Sequence, residues 1–129
     1  MKPVFLGMVA ILTLSGCSKG PDRVVEGVMH EYGLMVTSLK TGTSCGSAVE
    51  TVRNLRNTGR QKVRELVKAY GKLGAGDRQK VSAGLTRQAG ALYAEYFKPF
   101  KSRCPAEAAK IAAEMDAVLL RFKASLAPY

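Results

Sequence analysis

Apolar residues recur every three or four positions through most of this chain, and clusters of turn-forming residues interrupt the pattern. A period near 3.6 places such residues on one face of an α-helix. The first stripe opens at Pro21-Asp22 and runs through Val25, Met29, Tyr32, Val36 and Leu39, with Val24, Val28 and Met35 beside it. The run from Thr41 to Ser47 ends it, because Gly, Ser and Thr favour turns and caps. A second segment extends from Ser47 to Leu73, carried by Val49, Val52, Leu55, Val63, Leu66, Val67, Tyr70 and Leu73. Ser47 reads as its N-cap, with Glu50 three residues on as the capping-box partner. Gly59 lies in a polar stretch in its middle, where a kink or break is expected.

The third segment takes Asp77 as N-cap and carries Val81, Leu85, Ala89, Leu92 and Tyr96 until Pro99 stops it. Pro105 opens the fourth as a first-turn residue, with Glu107 in the acidic first turn that the helix dipole favours. Its stripe is Ala108, Ile111, Ala112, Met115, Val118, Leu119, Phe122 and Leu126, up to Pro128. No stretch alternates as a strand would. Four amphipathic helices with short connections predict an all-α fold, an antiparallel four-helix bundle over residues 21–129.

The first 16 residues have a different character. Met1-Lys2 begins a run without further charge, Pro3 to Leu14, too short for the roughly 20 residues that span a bilayer. A positive start, a short apolar run and small residues at its end make a secretory signal. Leu14-Ser15-Gly16-Cys17 resembles the lipobox of bacterial lipoproteins: an aliphatic residue, two small ones, then cysteine. The resemblance covers the first 17 residues. It implies cleavage after residue 16, a thioether-linked diacylglycerol on Cys17, and acylation of the new amino terminus by a chain such as palmitate. Cys17 to Gly20 would then be a very short lipidated tether. Ser18 after the cysteine, where Asp would retain the protein in the inner membrane, implies an outer-membrane address facing the periplasm.

Cysteine usage fits that compartment. Lipidation takes one of three cysteines and leaves Cys45 and Cys104, which an oxidising periplasm is expected to join. Their spacing matches no zinc motif. An up-down bundle brings its first and third connections to the same end, and these hold Cys45 and Cys104. The tether, the Gly71–Gly76 turn and the carboxyl terminus then share the opposite, membrane-facing end.

The chain carries 20 Lys and Arg against 10 Asp and Glu, a formal charge of +10 that falls by one when Lys2 is removed. In a cytosolic protein this would suggest nucleic acid. Export argues against nucleic acid and for anionic head groups, lipopolysaccharide or acidic protein surfaces. The charge concentrates on the second segment, where Arg53, Arg56, Arg60 and Arg64 are spaced three, four and four and share one face. Arginine holds phosphate or carboxylate through two parallel N–H donors, which suits these four to an anionic partner.

Catalysis finds little support. His30 is the only histidine and reads as a boundary residue near Glu26. Glu114 and Asp116, two apart, point to different helix faces, so they form no acid–base pair. There is no nucleophile elbow and no phosphate loop, and methionines at helical spacing read as core rather than haem ligands. No enzyme activity, cofactor or metal is expected. Tyr93, Tyr96, Phe97 and Phe100 exceed what one stripe buries, and any left exposed would line a groove for a partner helix at the disulfide end.

The lipobox, the size, four predicted helices and two further cysteines together resemble the small helical pilotin lipoproteins, which escort secretin subunits to the outer membrane. The resemblance is one of architecture. It implies a non-enzymatic binding or assembly module that seats an amphipathic segment of an envelope partner. The alternative is an inhibitor, immunity or exclusion lipoprotein that blocks a toxin, a lysozyme or a transfer partner.

Overall fold

The computed structural model describes residues 20–40 and 44–124. The signal segment, Cys17 and the tether up to Lys19 lie outside the described residues, as do Leu126 and Pro128. Six α-helices follow one another: α1 (Pro21–Thr37), α2 (Cys45–Thr58), α3 (Arg60–Gly71), α4 (Ala75–Leu92), α5 (Lys98–Arg103) and α6 (Pro105–Leu120). A π-helical turn, Tyr93–Phe97, joins α4 to α5 without a break. The described residues thus form five helical rods and no strand, where the sequence predicted four.

The additional rod comes from Gly59, which divides the second segment into α2 and α3. The backbone hydrogen bonds continue on either side, from Gly59 N–H to the Leu55 carbonyl and from Val63 N–H to the Gly59 carbonyl, both 3.0 Å. The break is a bend rather than a loop. The Glu31 carboxylate of α1 packs into the space that a Cβ at Gly59 would take, so a larger residue there would have to displace it.

Helix ends differ from expectation in three places. The N-cap of α2 is Ser44, not Ser47; its Oγ accepts the Ser47 backbone N–H at 3.3 Å, so Ser47 lies inside the first turn. The third segment begins at Ala75, which leaves Asp77 in the first turn, beside the dipole, instead of at the cap. Pro99 does not stop the helix. The wide π turn just before it relieves the clash between the proline ring and the carbonyl four residues back, and α5 continues. After Leu120 the chain closes with Lys123 in the left-handed region (φ 56°) and Ala124 N–H bonded to the Leu119 carbonyl at 3.1 Å, a Schellman-type stop.

Helix α1 is the central rod. Its Val24, Val28, Tyr32, Met35 and Val36 are buried, and it packs chiefly on α4, then on α3 and α2. The core is completed by Leu85, Phe97, Phe100, Ile111, Leu119 and Phe122. The predicted disulfide is present: Cys45 and Cys104 are bonded with Cα atoms 5.6 Å apart, tying the start of α2 to the start of α6. At the opposite end Gly20 lies against Leu73, and Phe122 stacks edge-on against Tyr70 at 5.5 Å. Ser82 Oγ also donates to the Phe122 carbonyl at 2.7 Å. The start of α1, the α3–α4 turn and the end of α6 therefore meet at one end. None of the described helices is long and apolar enough to cross a membrane.

Candidate functional site

From the disulfide, α2 and α6 run side by side in the same direction. Residues equally far from the bridge are level, since each adds 1.5 Å of rise. Arg53 and Arg56 lie 8 and 11 residues after Cys45, and Glu114 lies 10 after Cys104. They meet: Arg56 Nη1 donates to Glu114 Oε1 at 2.6 Å, and Arg53 Nε to Oε2 at 3.3 Å. The carboxylate side chain is 19% exposed, those of Arg56 and Arg53 39% and 54%. Arg56 holds the Glu114 carboxyl below the usual glutamate range, its hydrogen bond outweighing the opposing effect of burial.

Further along the same groove, Arg60 and Arg64 of α3 come level with Arg121 at the end of α6. Together with Arg56 they line a cavity of about 210 Å³, which Val63, Ala117 and Val118 complete. Arg60 Nη2 donates to Asn57 Oδ1 at 2.6 Å, a neutral acceptor that leaves its charge uncompensated. The side chains of Arg64 and Arg121 have no hydrogen bond or ion pair among the described residues. Four arginines thus line one solvent-open cavity together with Val63, Ala117 and Val118, and two carboxylates lie close to it, Glu114 held by Arg56 and Glu31 beside Gly59. Guanidinium donors bind phosphate or carboxylate through charge-assisted hydrogen bonds. The cavity is smaller than the roughly 300–1,000 Å³ of drug-sized ligand sites. It suits a compact anion, a phosphate or a carboxylate, presented by something larger.

Of the four arginines expected to share a face, three line this cavity; Arg53 instead serves the Glu114 pair. Arg121 and Glu114 were not foreseen as part of the site. Their signal was the disulfide itself, which fixes α6 beside α2 and so makes distance from each cysteine a ruler along both helices.

The other predicted features lead elsewhere. Tyr93, Phe97 and Phe100 are buried, the first two stacked at 4.8 Å, and Tyr96 is half-buried. The expected aromatic groove is reduced to a cavity of about 180 Å³, where Tyr96 adjoins Leu39 and Pro99. His30 is exposed. Glu107 lies close to the two bridging sulfurs, but joined cysteines offer no thiolate to a metal. Tyr32 is fully buried with its hydroxyl unbonded, and burial beside Asp116 drives its pKa far up. Desolvation also raises Asp116 and Tyr93. Tyr32 and Tyr93 are closed off in the core and Asp116 is half-buried beside them, whereas the arginine cavity is open to solvent. No protein-family model, curated protein or solved structure matches the chain.

Proposed function

We propose that this protein is a small lipoprotein of the bacterial cell envelope, anchored through Cys17, that works by non-enzymatic binding and holds an anionic group of its partner in the arginine cavity. The observation that carries the reading is the convergence of Arg56, Arg60, Arg64 and Arg121 on one cavity, two of them without a partner among the described residues. Four like charges gathered on one cavity repel one another, and a bound anion would relieve that repulsion. The disulfide adds support for an oxidising compartment.

In this reading the five rods are four segments in up-down order, consecutive ones antiparallel, with the second divided at Gly59, and Arg60 and Arg64 just past that division share a cavity with Arg121. A pilotin-like role remains the more specific version, with an outer-membrane address facing the periplasm. Its recognition would centre on the arginine cavity more than on an aromatic groove, since most of the aromatic residues are consumed by the core.

Two measurements test the proposal. Metabolic labelling with palmitate should mark the wild-type protein and leave Cys17→Ser unlabelled. Titration of the purified protein with inorganic phosphate at low salt should give saturable binding that weakens about tenfold or more when Arg64 and Arg121 are both replaced by Gln. Labelling that persists in Cys17→Ser would remove the anchor. Absence of phosphate and acetate binding would remove the cavity from the account.

A further inference from the structure

The arginine cavity does not end at its own rim. Arg60, Arg64, Lys68 and Lys72 follow one another at four-residue spacing along and just past α3, so the basic line continues down one side of that helix. Arg64, Lys68 and Lys72 are exposed. The line leads to the end of the molecule where Gly20 lies against Leu73 and Phe122 against Tyr70. Arg121 is the neighbour of Phe122 and brings the cavity's other wall to that same end. Beside it Leu120 is 61% exposed, the most exposed large apolar side chain among the described residues.

This is also the end from which the chain leaves toward Cys17. Gly20 is three positions after Cys17, a reach of about 10 Å when fully extended. A bilayer that holds Cys17 would therefore lie within about a Debye length of the tether end, and Lys72, Lys68 and Arg64, spread over about 12 Å of helix rise, reach its head groups when the domain lies with α3 against the surface. A cluster of Lys and Arg beside an exposed leucine, facing a surface of lipid phosphates, is the arrangement that binds anionic membranes.

We infer that the tether end is a membrane-apposed surface, in which the arginine cavity takes the phosphate of an anionic phospholipid, the α3 basic line lies on neighbouring head groups, and Leu120 enters the acyl boundary. This rests on the proposed anchoring at Cys17 and names the source of the anion. Seating one lipid phosphate would fix the orientation of the domain, which attachment through Cys17 alone does not set.

The experiment uses the lipidated full protein carrying Leu120→Trp, whose indole is the sole tryptophan and is excited at the red edge, where the five tyrosines do not absorb. It is reconstituted into phosphatidylcholine vesicles with or without phosphatidylglycerol, each containing acyl-brominated lipid as quencher. Quenching should be strong with phosphatidylglycerol, weak without it, and reversed by added salt on the unchanged sequence. Arg64→Gln with Lys68→Gln should lower the ratio of docked to undocked protein about 25-fold, at about 1 kcal/mol per cation. Both side chains are exposed, and a thermal melt of each variant checks the fold. Phosphate titration of the same protein in detergent is the second arm. Phosphate binding with quenching indifferent to phosphatidylglycerol would overturn the lipid assignment and leave the anion cavity standing. Indifference in both arms would overturn both.

Discussion

Replacing Glu114 by Gln separates two effects that most substitutions combine. The carboxylate accepts from Arg56 at 2.6 Å and from Arg53 at 3.3 Å, and it is a counter-charge beside the cavity. Both ion pairs are partly exposed, where each is worth at most about 1 kcal/mol, so Glu114→Gln should lower the unfolding free energy by about 1 kcal/mol in urea at neutral pH. The same change removes one negative charge next to the anion's seat. At the dielectric of a partly exposed site that is worth about 1 kcal/mol, or about fivefold in phosphate affinity, in the favourable direction. Stability should fall while affinity rises, and both changes should shrink with salt. The stability difference should also depend on pH. Glu114 titrates below its ordinary 4.5 in the folded protein, so its contribution is present above that value and is lost as pH falls through the folded one. Wild type and variant should then converge in acid. If phosphate binding weakens together with stability, Glu114 acts by positioning Arg56, and the charge argument is wrong.

Three further outcomes follow from the packing. Replacing Cys45 and Cys104 by Ala should cost about 4 kcal/mol in chemical denaturation, because the bond closes a loop between residues 59 apart; a loss below about 1 kcal/mol would mean that packing alone holds α2 to α6. Gly27→Ala and Gly33→Ala gain the same helix propensity within α1, but a Cβ at Gly27 meets Leu66 Cδ2 at 2.6 Å and one at Gly33 meets nothing. Gly33→Ala should therefore raise the melting temperature, with the Gly27 variant about 1–3 kcal/mol less stable than it, and equal melting temperatures would contradict the close approach of α1 and α3. Asp116 shows the opposite sign to Glu114: burial raises its carboxyl above the ordinary 3.8, so the folded state keeps a proton that the unfolded state releases. Stability from this group is highest below 3.8 and falls as pH rises through the folded value, and Asp116→Asn should abolish that fall in a series of urea midpoints.

The helical class and the buried stripes were legible because an amphipathic period reports burial directly. Tyr32, Val36 and Leu39 are in the core where the first stripe placed them, whereas Val25 and Met29 are half-buried and the flanking Val24, Val28 and Met35 take core positions. Helix ends were read less well, since several residues compete for each cap: Ser44 and Ser47 both offer a hydroxyl, and only the path of the preceding chain decides between them. Pro99 misled because a proline forbids a regular helix but not one widened by a π turn. The arginine face was visible as spacing within one helix. Arg53 and Arg56 left part of it for Glu114, and Arg121 joined it, because neighbours across helices are set by packing that spacing does not contain. The disulfide pair held that information, once used to align α2 with α6.

The central claim is that Arg60, Arg64 and Arg121 jointly hold an anion. Arginine Nε–Hε resonances of the labelled protein, followed during titration with inorganic phosphate, address it most directly. The account predicts saturable shifts of these three with one common affinity, a smaller response at Arg56, and little change at Arg78, whose guanidinium is already bound to the Leu73 carbonyl at 2.5 Å. Shifts spread evenly over all arginines and linear in phosphate would contradict it, and would reduce the cavity to part of a uniformly basic surface.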